Sequence, residues 1–164
     1  MASHFVRANQ HLHLCDPQAN RVVDFDLNKD NRPDVWKHYA GKALVCKRVD
    51  MNHDGKVDYW AAYARGGGRL YERFDFDFDG KPDAHTEHDP VARKKLFTAR
   101  DSNFDSKFDI LEIYDPNGKR TQTLRDRNAN GTADVWEIYA GGKLRETLFD
   151  DDHDGKVDRH VMAP

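Results

Sequence analysis

Short apolar and aromatic runs recur along the chain, separated alternately by Gly-containing turns and by polar stretches rich in Asp and Asn. VWKHYA from Val35, YWAAYA from Tyr59, ILEIY from Ile110 and VWEIYA from Val135 form one set. ALVCKRV from Ala43, RLYERF from Arg69 and KLRETLF from Lys143 form a second set. Runs this short, rich in β-branched and aromatic residues and bounded by turn formers, predict strands joined as hairpins. A helical alternative exists, because Trp36/Tyr39, Trp60/Tyr63 and Trp136/Tyr139 lie three apart on what would be one helical face. Length decides for strands: two helices and their loop do not fit comfortably into a repeat of ~25 residues. The predicted fold is all-β, an antiparallel meander of about six ~25-residue β-hairpin repeats. The Asp-rich loops joining the repeats lie along one edge of a curved, barrel-like or solenoid-like sheet. Residues 1–23 read as an N-terminal leader or cap, and residues 24–164 as a single repeat domain.

The polar stretches share a nine-residue phrase, and side-chain oxygens occupy its positions 1, 3, 5 and 9 in all six copies. Position 1 is Asp26, Asp50, Asp75, Asp101, Asp126 and Asp150. Position 3 is Asn28, Asn52, Asp77, Asn103, Asn128 and Asp152. Position 5 is Asp30, Asp54, Asp79, Asp105, Asn130 and Asp154. Position 9 is Asp34, Asp58, Asp83, Asp109, Asp134 and Asp158. Polar turns alone require neither four fixed oxygens nor position 9, so these 24 residues are the candidate metal ligands. Calcium, a hard cation taking six to eight oxygens, fits them, with up to six ions expected. Sulfur and imidazole are absent from the ligand positions, which disfavours zinc and copper. Position 6 has to turn sharply and is Gly55, Gly80, Gly131 or Gly155, with Asn31 in the first copy and Ser106 in the fourth. The loops opening at Asp101 and Asp126 fit the pattern least well.

The DxDxDGxxD phrase resembles the EF-hand type of calcium loop. It is also similar to loops of thrombospondin type 3 repeats, of dockerins and of integrin-type propeller blades. The last resemblance implies that such a loop can join two strands. The whole repeat, from about Asp24 to His160, resembles repeat-containing secreted proteins and lipoproteins of myxobacteria. It departs from the EF-hand at position 12, where the bidentate Glu of that family appears only as Glu112 and Glu137. Lys37, Ala61, Thr86 and Val161 stand there in four other copies, implying weaker loops.

Mean hydropathy is -0.93 and charged residues make up 34% of the chain, so part of its stability is expected from outside an apolar core. Nineteen of the 29 acidic residues are loop ligands, which leaves the rest of the chain strongly basic against 26 Lys and Arg. Six divalent ions would turn a formal net charge of -3 into +9. Candidate partners beyond calcium are therefore an acidic polysaccharide or another surface protein. The alternative function is a calcium-dependent carbohydrate- or polyanion-binding module, using the recurring Trp and Tyr. Specific nucleic-acid binding is not expected, and no run approaches the length of a membrane span.

No nucleophile, zinc-protease, P-loop or dinucleotide fingerprint occurs, so no catalytic residues and no enzyme activity are expected. His11 and His13 could clasp a metal or simply be exposed. His53 and His153 at position 4 are expected to face solvent, while His85 and His160, at the Trp place of the repeat, are expected to pack. Cys15 and Cys46 suggest a disulfide pinning the leader to the first hairpin, with Cys15 as a lipid-anchor residue the rival reading. The expected location is extracytoplasmic: periplasm, cell surface or secreted. The expected role is a calcium-binding repeat protein in which the ion is a structural staple, for structure, adhesion or surface interaction.

Overall fold

The computed structural model describes residues 19–164. Twelve strands follow in chain order. The first six are β1 (Arg21–Phe25), β2 (Val35–Ala40), β3 (Ala43–Val49), β4 (Tyr59–Tyr63), β5 (Arg69–Phe74) and β6 (Ala84–Asp89). The second six are β7 (Lys94–Arg100), β8 (Ile110–Tyr114), β9 (Arg120–Arg125), β10 (Val135–Ala140), β11 (Lys143–Phe149) and β12 (Arg159–Met162). The strand order is β1 through β12, an antiparallel meander without crossovers in which β1 and β12 are the terminal strands. No helix occurs among the described residues. The repeat is thus a hairpin, and even the polar run AHTEHD, which lacks the aromatic signature, forms β6.

By contacts the described residues fall into two compact units, one ending at Lys94 and the other covering Lys95–Pro164. In the first, Val35, Val45, Cys46, Trp60, Ala61, Ala62, Tyr71 and Ala84 are buried. Three consecutive buried residues on β4 mean that both faces of that strand are covered. The register explains how: Ala61 lies between Lys47 and Glu72, and Ala62 between Cys46 and Tyr71, so longer cross-strand neighbours shade the alanines. One cross-strand row of this unit alternates aromatic and cationic residues, in the order Trp36, Arg48, Trp60, Arg73, His85. The Arg48 guanidinium lies 5.3 Å from the Trp36 ring centroid, and Arg73 Nε donates to His85 Nδ1 at 3.1 Å. The equivalent row of the second unit is apolar. There Ala99, Leu111, Leu124 and Ala133 form a buried cluster against which Phe97, Phe108, Ile113 and Trp136 pack.

Four hairpins share a feature that the sequence pattern concealed. The pairing slips by one residue between His38 and Tyr39, Ala62 and Tyr63, Ile113 and Tyr114, and Ile138 and Tyr139. Each slip is a β-bulge just before the Gly turn, which locally increases strand twist. The turns themselves need positive φ, as at Gly41 (63°) and at the pair Gly141 (61°) and Gly142 (83°). Gly68 has a different requirement, because a Cβ there would lie 1.8 Å from the Pro90 carbonyl oxygen.

His11, His13 and Cys15 lie outside the described residues. Cys46 is fully buried on β3, and its pairing with Cys15 is a proposal.

Candidate metal-binding loops

Each nine-residue phrase connects two successive antiparallel strands, and all six loops close in the same way. The N–H of position 9 donates to the residue preceding position 1, as in Asp34 to Phe25, Asp58 to Val49 and Asp134 to Arg125, so a strand-like bond closes the loop. Within each unit the carbonyl of position 9 accepts the N–H of position 1 in the next loop. Asp34 and Asp50, Asp58 and Asp75, Asp109 and Asp126, and Asp134 and Asp150 are joined in this way at 2.8–2.9 Å. Successive loops are therefore stacked through their own backbone.

Inside the loop, side-chain oxygens take the amide protons that a tight turn leaves unpaired. In the second loop Asp50 Oδ1 and Oδ2 accept from His53 and Gly55 at 2.7 Å. Asn52 Oδ1 accepts from Asp54 at 3.1 Å and Asp54 Oδ1 from Lys56 at 2.8 Å. Asp58 Oδ2 accepts from Met51 at 2.6 Å and Asn52 at 3.3 Å. Two residues per loop adopt positive φ to allow this, at positions 4 and 6. Position 6 was foreseen from its glycines. Position 4 was not, because Lys29, His53, Phe78, Phe104, Ala129 and His153 share no residue type. Ser106, the poor fit at position 6, is held at φ 69°.

Burial divides the candidate ligands. Asp50, Asp75, Asp101, Asp126 and Asp150 at position 1 are buried, as are Asp34, Asp58, Asp83 and Asp134 at position 9. Positions 3 and 5 are exposed in every loop, as is Asp26. Asp75, Asp77 and Asp83 bring one oxygen each to within 4.8 Å of one another, and so do Asp150, Asp152 and Asp158. These are the two loops with Asp at position 3; the other four carry Asn there. Position 5 stays outside both clusters. Lys81 Nζ lies 3.3 Å from Asp79 Oδ2 and Lys156 Nζ 2.6 Å from Asp154 Oδ2.

The fit to a cation is clearest at position 9. Asp58 is completely buried, and its Oδ1 has no hydrogen-bond partner among the described residues. A buried carboxylate oxygen without a partner is costly unless a cation or donor meets it. Burial also raises the Asp75 carboxyl above its usual value, against the opposing N–H bonds from Gly80 and Phe78. No twelfth ligand joins the set. Glu112 binds Arg120 Nη1 at 2.8 Å, Arg100 Nη2 at 3.3 Å and the Tyr114 hydroxyl. Glu137 takes the Tyr139 hydroxyl at 3.0 Å and Arg125 Nη2 at 3.6 Å.

The position-4 histidines are exposed, as the sequence suggested, and each also makes a contact that the sequence did not show. His53 Nδ1 lies 2.9 Å from Asp34 Oδ1, and His153 Nδ1 lies 2.8 Å from Asp134 Oδ1. Each ring thus reaches back to position 9 of the preceding loop. Phe78 occupies the same position after Asp58 and offers no donor, which leaves Asp58 Oδ1 bare. After Asp109 the residue is Ala129, and a cavity of about 290 Å³ opens beside both. His85 is packed as expected, fully buried, but His160 is not: on the terminal strand β12 it is exposed and its ring lies against Glu146.

No family model matches the chain. It is similar, at 25% identity over 171 aligned positions, to a protein named 1,4-alpha-glucan branching enzyme GlgB 1 from Xanthomonas euvesicatoria pv. vesicatoria (strain 85-10). That alignment takes in 96% of this chain but spans only 23% of the length of the relative. No helix among the described residues is long and apolar enough to cross a membrane.

Proposed function

We propose that this chain is an extracytoplasmic calcium-binding repeat protein in which the ions act as structural staples between hairpins. The observation that carries the reading is Asp58, a fully buried carboxylate with one oxygen that has no hydrogen-bond partner among the described residues. A calcium ion bound through positions 1, 3 and 9 would supply the missing partner. Stacked loops with buried acids at positions 1 and 9 need compensating charge, and His53 and His153 serve only two of the junctions. Without a twelfth glutamate the affinity belongs to the weak, extracellular range of about 0.1–1 mM. The role is non-catalytic: structural, adhesive or surface-interacting.

The alternative, a calcium-dependent carbohydrate- or polyanion-binding module, draws some support from the glucan-branching relative, whose matching part is a minor share of its length. The aromatic row does not favour it. Trp60 is buried, and Trp36 and Trp136 are half-buried. Arg21 and Arg120 lie 4.4 and 4.2 Å from the ring centroids of Tyr39 and Tyr139. The test is thermal unfolding, followed by circular dichroism, of EDTA-stripped protein titrated with calcium. Calcium at about 100 times its dissociation constant should add about 2.7 kcal/mol per site. A melting temperature indifferent to calcium would remove the staple.

A further inference from the structure

Among the described residues β1 and β12 each pair with a strand on one side only. The outer edge of such a strand carries backbone N–H and C=O groups that another chain can pair with. Neither strand holds the lysine or proline that commonly guards an edge. Val22 and Phe25 on β1, and Val161 and Met162 on β12, are exposed apolar side chains.

The two edges are complementary halves of one junction. Even-numbered strands follow an Asp-rich loop and odd-numbered strands precede one. In four hairpins a Gly turn joins an even strand to the odd strand after it, with the first residue of the one opposite the last of the other. These pairs are Val35 and Val49, Tyr59 and Phe74, Ile110 and Arg125, and Val135 and Phe149. β12 is an even strand and β1 an odd one. In that same register, β12 of one copy and β1 of the next place Arg159 opposite Phe25, His160 opposite Asp24, Val161 opposite Val23 and Met162 opposite Val22.

The chemistry of those pairs fits. At the third place the interior hairpins pair Lys37 with Lys47, Ala61 with Glu72, Glu112 with Thr123 and Glu137 with Thr147. Valine stands at that place only in β1 and β12. Asp24 is exposed and has no ion-pair partner among the described residues. His160 already meets Glu146, so the junction sets an imidazole between two carboxylates. Arg21, the other charge on β1, lies beyond the four paired residues, 4.4 Å from the Tyr39 ring centroid. The loops match as well. Across each of the four hairpins the carbonyl of position 9 accepts the N–H of position 1 in the next loop. Asp26 opens this stack and Asp158 ends it, and both are exposed where most of their counterparts are buried. The junction between copies lets the Asp26 N–H donate to the Asp158 carbonyl and covers both.

We propose that this protein associates head to tail with a second copy of itself, β12 of one copy pairing with β1 of the next. The contact is heterologous, so it builds chains or rings rather than stopping at a symmetric dimer.

The test is sedimentation equilibrium of the full chain in calcium-containing buffer, from about 10 μM to 1 mM, a span suited to a small edge contact. The wild-type average mass should rise above 19.0 kDa with concentration. Val23→Glu faces Lys37 within its own sheet, and Val161→Lys faces Thr147, so both variants should fold. Circular dichroism melts check that they do. Each by itself should associate at least about tenfold more weakly than wild type, since a charge then meets valine across the junction. Mixed in equal amounts they should associate again, because glutamate and lysine then stand opposite each other. A wild-type mass that stays at 19.0 kDa throughout would overturn the proposal. So would loss in only one variant, which marks one edge pairing with itself, or a mixture no more associated than its components. Association and melting are separate readouts, so failure here leaves the calcium staple standing.

Discussion

His53 Nδ1 stands 2.9 Å from Asp34 Oδ1, so that position 4 of one loop is tied to position 9 of the loop before it. The contact holds the Asp34 carboxyl below its usual value, chiefly through this hydrogen bond, and raises the imidazole. The same pairing recurs between His153 and Asp134. Where the position-4 residue lacks a donor, as at Phe78, the preceding carboxylate is left to find another partner. Neighbouring loops therefore share their charges.

Asp58→Asn separates charge from shape at that exposed need. In EDTA the amide removes a buried negative charge, so the variant should melt at or above the wild-type temperature. In saturating calcium it should melt below wild type, having lost up to about 2.7 kcal/mol of linked stabilisation. Paired thermal melts in the two buffers check this crossover. A uniform loss in both would show that Asp58 serves only the turn.

Ser106→Gly should stabilise the protein by about 1 kcal/mol, because serine at φ 69° bears the left-handed penalty that glycine escapes. The Ser106 amide bond to Asp101 Oδ2, at 2.6 Å, is a backbone contact and survives the change. Urea denaturation gives the difference directly.

Gly68→Ala should destabilise by about 1–3 kcal/mol, since its Cβ would collide with the rigid Pro90 carbonyl rather than with a movable side chain. Gly66→Ala is the control: nothing lies near its Cβ and its φ is not positive. Chemical denaturation of the two variants should separate them clearly.

His38 predicts a pH dependence. Its imidazole is held below the ordinary 6.5, first by burial and then by the Arg48 charge, and its Nε2 faces Arg48 Nε at 3.2 Å. The unfolded chain thus binds the proton more readily than the folded one. Stability attached to neutral His38 is fully present above about pH 6.5 and declines as pH falls below it. His38→Gln should flatten this part of the stability profile below about pH 6.5. Unfolding curves across that range, for both proteins, check the difference.

Much of this was written in one dimension. Val, Trp, Ile and Tyr runs of strand length, cut by Gly turns, specify hairpins, and a repeat of ~25 residues specifies their succession. The loops themselves were equally legible, because side-chain oxygens at fixed spacing need only local chain geometry to take the amide protons of the same turn. Position 4 escaped notice since positive φ there is imposed by the loop's amide bonds, not by residue type.

What the tertiary structure decided lies across strands. The bulges before Tyr39, Tyr63, Tyr114 and Tyr139, the Trp36–Arg48–Trp60–Arg73–His85 row and the capture of Asp34 by His53 all depend on register. So does the diversion of Glu112 and Glu137 away from the loops, into ion pairs with arginines one strand away. The sequence by itself determined the hairpin, its length and the oxygens of each loop, because those arise from contacts within about nine residues. Which carboxylates became buried and which met a donor followed only from pairing, since a one-residue shift reverses every side chain's face.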